Sequence, residues 1–197
     1  ILVPVGVTLT IEPGTTVYFT DGRRITVQGR LLAEGTSARR IQFVPEPGSG
    51  DTWDGVYFDQ SQEDNRMTYL DMAYASRETQ SIRVDHSRLL VDHMSWSGTG
   101  TLILDLDHPS LLVTDSIFPT LDASASINGD GLSGSGYFIL NRHIFEHPTG
   151  FSDVIRFTDA HRPGPIVQVY SNVFYGATDD VLFLDGADAH IEGNVFT

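Results

Sequence analysis

Asp179-Asp-Val-Leu-Phe-Leu-Asp-Gly-Ala-Asp-Ala-His-Ile-Glu-Gly-Asn-Val-Phe196 holds a strand, a tight acidic turn, a second strand and an asparagine-bearing corner within eighteen residues. Aligning the chain on its final aromatic residue produces a column: Phe19, Phe43, Tyr74, Trp96, Phe118, Phe145, Phe174 and Phe196, at intervals of 22 to 31 residues. From Tyr74 on, five places earlier stand Tyr69, Val91, Val113, Leu140, Val169 and Ile191, and seven places earlier Met67, Leu89, Leu111, Phe138, Val167 and Ala189. Residues between these positions face the other way, so each segment is a short alternating strand. Such a strand cannot stand alone and must stack on its neighbours. No segment keeps a helical period long enough for a β/α repeat. The uneven period predicts an all-β, right-handed parallel β-helix of about eight coils, residues 1–197 forming one domain with insertions confined to turns.

The first coil runs from Val3 through Val7–Ile11 and Thr16–Phe19, with a turn at Glu12-Pro-Gly14. Ile25, Leu31 and Ile41 begin the strands of the second. A Pro-, Gly- and Ser-rich loop, Pro45 to Asp51, leads to Trp53-Asp-Gly-Val-Tyr-Phe58. Coils three to five begin with Val56–Phe58, Ile82–Val84 and Leu102–Leu104. Asp122 to Gly136 reads as an excursion, after which Phe138 restores the register, and the loop Thr158 to Pro165 interrupts the seventh coil. Asn194-Val-Phe-Thr197 stops in mid-coil, which would leave a sheet edge unpaired, so further coils or a cap are expected. The chain begins at Ile1 without an initiator Met, and it reads as a segment of a longer polypeptide.

Composition narrows the functional classes. Twenty-six acids, 19 of them Asp, face 12 Arg and no Lys, for a net charge of -14. A nucleic-acid partner would need a basic face. No apolar run reaches the length of a membrane helix, and the absence of Cys excludes a disulfide scaffold and thiolate metal sites. The excess of Asp suits a salty or calcium-containing medium.

Val7–Phe19, Trp53-Asp-Gly-Val-Tyr-Phe58 and the closing Asp-Gly-Ala-Asp-Ala-His-Ile-Glu-Gly-Asn-Val-Phe resemble secreted bacterial proteins with parallel β-helix repeats, the pectate-lyase-like superfold. That resemblance implies an extracellular or cell-surface location. It is compatible with lyases, glycoside hydrolases, adhesins and surface-layer modules alike. The paired Asp179-Asp180 is similar to the acid pair of polygalacturonases, whose Asn-Thr-Asp, Gly-His-Gly and Arg-Ile-Lys partners this chain lacks. Relatives of the closing stretch often carry acids where Arg156 and Phe183 stand, so an acidic cluster is depleted here.

Equivalent residues of successive coils lie about 4.8 Å apart, so recurring residues become ladders. Met72, Met94, Ser116, His143, Asn172 and Asn194 form one, with the two Asn read as corner hydrogen-bonders. Asp59, Asp85, Asp105 and Asp185 form another, with Thr158 or Asp159 in the seventh coil. Like charges at that spacing must stay hydrated, shift a pKa or hold a cation, and calcium is the natural cation for oxygen ligands; Asp is equally at home in turns. Asp159, Asp185 and Asp188 are the expected metal ligands.

The eighth coil joins its strands through Gly186, Ala187 and Asp188, so the longer Thr158–Pro165 loop is expected to overhang that turn. It would gather Asp159, His161 and Arg162 over Asp185 and Asp188, with Asp153, Asp179 and Asp180 at the far strand ends. Outward-facing His190 and Glu192 would adjoin Gln168 and Tyr170, a patch suited to sugar. Candidate catalytic groups are Asp185, Asp188, His190, Glu192 and Arg162, with Tyr170, Gln168, His161 and Arg162 for substrate. A lyase would need a base, here Arg156 or Arg162. Asp85-His86 and Asp92-His93 lack a third ligand in register and read as solvated turns. His143 and His147, four apart, fall on strand and loop, where that spacing has no meaning. The leading expectation is an extracellular structural or adhesive module presenting a polar face to polysaccharide. The alternatives are a polysaccharide lyase or hydrolase acting on the last two coils, and a self-assembling filament or surface-layer component.

Overall fold

The computed structural model describes residues 1–48, 52–75, 80–99, 102–122, 125–132, 134–149 and 153–197. Within them lie three parallel sheets of eight strands, stacked as a β-solenoid of about 7 turns. The first sheet runs from Leu2–Val3 to Leu182–Ala187, the second from Thr8–Ile11 to Ala189–Glu192 and the third from Thr16–Phe19 to Val195–Phe196. Among the described residues no helix is long and apolar enough to cross a membrane. The loop expected at 45–51 falls partly outside the described residues, as does the excursion at 122–136.

Alternation of side chains sets which residues enter the core. Val91 and Val113, Phe118 and Phe145, and Phe157 and Leu184 are direct neighbours across strands. Trp96, Phe118, Phe145, Phe174 and Phe196 stack with ring centroids 4.5 to 5.1 Å apart, the strand spacing itself. Two coils sit two residues away from the expected alignment. Val17, not Phe19, pairs with Phe43, and Phe19 instead stacks on Trp53 at 3.8 Å. In the third coil the columns hold Met72, Met67 and Asn65 in place of Tyr74, Tyr69 and Met67. Tyr74 is exposed, and both tyrosines have positive φ. A slip of two keeps every residue on its own face of the strand, so alternation alone cannot detect it. The stretch read as an excursion contains a strand of the first sheet, Ile127–Asp130.

Between the second and third sheets the chain turns through one left-handed residue: Tyr69, His93, Asp115, Arg142, Ser171 and Gly193. One step later each coil places a side chain inward. Ser116 Oγ accepts from the Met94 N–H, His143 Nδ1 from Ser116, Asn172 Oδ1 from His143, and Asn194 Oδ1 from Asn172, at 2.8 to 3.1 Å. The expected corner ladder is therefore present, with each buried amide satisfied by the next coil.

Candidate functional site

The outer face of the first sheet carries two columns that the register places side by side. One contains Tyr57, Arg83, Asp105, Asn128, Arg156 and Phe183. Arg83 donates to Asp105 at 2.5 Å. Arg24 and Arg83 each lie 5.8 Å from the centre of the Tyr57 ring, and Arg156 lies 5.2 Å from that of Phe183.

Two residues further along the strands runs the acid ladder. It consists of Asp59, Asp85, Asp107, Asp130, Thr158 and Asp185. Asp107 takes the place expected for Asp105, because Leu102-Ile-Leu-Asp-Leu-Asp107 fits the pattern equally well two residues apart. The repulsion expected along this row is met by donors. Gln28 Nε2 donates to Asp59 at 2.7 Å, Tyr57 Oη to Asp85 at 3.1 Å and Thr158 Oγ1 to Asp130 at 2.8 Å. Burial, then the charges of Asp85 and Asp59, push the Tyr57 hydroxyl above its ordinary pKa, so it remains a donor.

Each residue of this ladder is followed by a left-handed one: Gln60, His86, His108, Gly131, Asp159 and Gly186. His86 Nδ1 lies 2.7 Å from Asp85 and His108 Nδ1 2.6 Å from Asp107. The two imidazoles are stacked, with centroids 4.8 Å apart and 15° between planes. The sequence reading missed Asp107-His108, although Asp85-His86 precedes it by one 22-residue period. That dipeptide repeat was the available signal.

Elsewhere, arginine ties acids of neighbouring coils together. Arg40 grips Asp71 with Nε and Nη2 at 2.7 to 3.0 Å, and Arg142 grips Asp115 at 2.5 to 2.7 Å. Burial raises the Asp71 pKa, but Arg40 and Ser95 outweigh it and leave the group below the usual carboxylate range. Arg142 holds Asp115 low, and Arg66 does the same for Asp64.

At the last two coils Gln168, Tyr170, His190 and Glu192 come together as the register predicts. Gln168 lies beside His190 and Tyr170 beside Glu192. Tyr170 Oη donates to Gln168 Oε1 at 2.9 Å and lies 3.3 Å from His190 Nδ1. His190 Nε2 is 3.3 Å from Glu192. The loop reaches the turn through Arg162, whose N–H and guanidinium lie 2.9 and 3.4 Å from Asp188 Oδ2. The strands run further into that loop and turn than expected, to Ala160 and Ala187, leaving Asp188 alone between the last coil's strands. His161 lies 3.8 Å from Asp159, and both side chains are well exposed. Asp185 continues the acid ladder.

Three groups of ligand-bearing side chains converge within 4.8 Å among the described residues: His86, Asp107 and His108; Asp92, His93 and Asp115; and Asp153, Asp179 and Asp180. Asp159, Asp185 and Asp188 do not form such a group. Arg156 Nε stands 3.5 Å from Asp153. No family model, curated protein or solved structure matches the chain.

Proposed function

We propose that the chain is a non-catalytic extracellular or cell-surface module, a stiff solenoid that presents its polar outer strip at Gln168, Tyr170, His190 and Glu192 to carbohydrate. The observation that carries this reading is the use made of the acids. Gln28–Asp59, Arg40–Asp71, Arg66–Glu34, Arg83–Asp105, Thr114–Asp92, Arg142–Asp115 and Thr158–Asp130 each join two successive coils. The carboxyls with displaced pKa, Asp64, Asp71 and Asp115, are all displaced downward. A glycosidase acid must be displaced upward to donate near neutral pH. These side chains therefore suit stitching one coil to the next.

The terminal strip suits a sugar: ring faces and edges from Tyr170 and His190, whose rings meet at 80°, stand beside the amide and carboxylate acceptors of Gln168 and Glu192. The test is a panel of acidic and neutral polysaccharides, with and without calcium, assayed for binding and for release of reducing ends or of unsaturated products at about 235 nm. Binding without product, weakened about tenfold or more by Tyr170→Ala, is the expected result. Product release would overturn the non-catalytic reading in favour of a lyase or hydrolase, and the absence of binding across the panel would overturn the carbohydrate reading.

A further inference from the structure

We propose that His86 and His108, oriented by Asp85 and Asp107, form a surface site for a divalent transition-metal ion of the zinc, nickel or copper(II) type. Read from sequence, Asp85-His86 wants a third ligand in register. The fold supplies it: Asp85 pairs with Asp107, the His86 N–H donates to the Asp107 carbonyl at 2.8 Å, and His108 follows directly. Ring nitrogens of His86 and His108 and a carboxylate oxygen of Asp107 then lie within 4.8 Å of one another.

The imidazoles are already oriented for a metal. A carboxylate can only accept, so the nitrogen facing it carries the proton; Asp85 and Asp107 thereby fix His86 and His108 with Nδ1–H inward and the Nε2 lone pair free. Both residues share nearly the same left-handed backbone, φ 43° and 46°, and their rings are stacked, so the two lone pairs issue side by side from one edge. A metal–nitrogen distance of about 2.0–2.1 Å requires the donors to close up slightly. Rotation of two half-exposed rings about the broad χ2 torsion accomplishes that. Asp107, spent on His108 Nδ1–H, orients that ring from outside the coordination shell, and water fills the remaining positions on the metal. Gly131 makes room for the His108 ring: a Cβ there would come within 2.6 Å of His108 Cε1 and Nε2. Two imidazoles select a borderline cation over calcium, which prefers oxygen alone. The other two groups are less suited to a cation, since Arg142 is locked onto Asp115 and Arg156 stands beside Asp153.

The experiment is calorimetric titration of the whole chain with zinc and, separately, calcium. Asn tolerates left-handed backbone better than other side chains, so His86→Asn and His108→Asn should keep the fold, checked by circular dichroism. The expected result is one zinc bound, affinity lowered about tenfold or more in each variant, unchanged affinity in His161→Asn and no comparable calcium binding. In parallel, imidazole nitrogen resonances of His86 and His108 in the unmutated protein should move with zinc while those of His190 stay. Zinc binding undiminished in both variants, calcium bound as well as zinc, no zinc binding, or unmoved His86 and His108 resonances would each overturn the site. None of these readouts depends on the carbohydrate reading.

Discussion

His143 does with an imidazole what Asn172 and Asn194 do with an amide. Its Nδ1 accepts from Ser116 N–H while Nε2 lies 2.9 Å from the Val113 carbonyl, just as Asn172 Nδ2 reaches Leu140 O and Asn194 Nδ2 reaches Val169 O. Burial pushes its pKa from 6.5 down to about 4. Between those values the unfolded chain binds more protons than the native one, so stability rises with pH. It is complete above the unfolded value and drains away as the solution is acidified from pH 6.5 towards 4, about 3 kcal/mol in all. Urea unfolding at several pH values should show this slope, and His143→Asn should flatten it; an equal slope in the variant would assign the titration elsewhere. In the aromatic column, Phe118 is fully buried between Trp96 and Phe145. Phe118→Ala should cost about 3–5 kcal/mol in the same assay, and a cost below 1 kcal/mol would mean the stack is not a tight core.

At the level of strands and corners, alternation and stacked columns made the solenoid legible, and the register of the later coils with it. Coils one and three slip by two residues in the aromatic column and coil five in the acid ladder, because Phe19, Tyr74 and Asp105 fit the sequence pattern as well as Val17, Met72 and Asp107. The left-handed corners were hidden, since Tyr69, His86, His93 and Arg142 have no composition in common that announces positive φ. The grouping of Gln168, Tyr170, His190 and Glu192 was legible because outward positions on adjacent strands follow from register alone. The paired imidazoles were missed through the slip at Asp105. Corner strain is measurable: Ser171 is exposed at φ 55°. Ser171→Gly should raise stability by up to about 1 kcal/mol and Ser171→Val should lower it by 1 kcal/mol or more. Equal urea midpoints for the two would show that the corner is relaxed.

For the molecule as a whole, each coil touches chiefly its two neighbours, so stability is close to a sum over coils and interfaces. Deleting the 22 residues 87–108 removes one strand from each sheet and joins His86 to Pro109 in the register His108 had. The shortened chain should keep its β-type circular dichroism and melt cooperatively at a lower temperature; loss of that signal would show the coils are not interchangeable units. The corner ladder adds a direction to this otherwise repetitive stack. Ser116, His143, Asn172 and Asn194 each cap the coil before them. A fault is thus passed one way only: removing a cap opens the corner upstream of it and leaves the corner downstream sealed. Along this row the solenoid behaves as a ratchet.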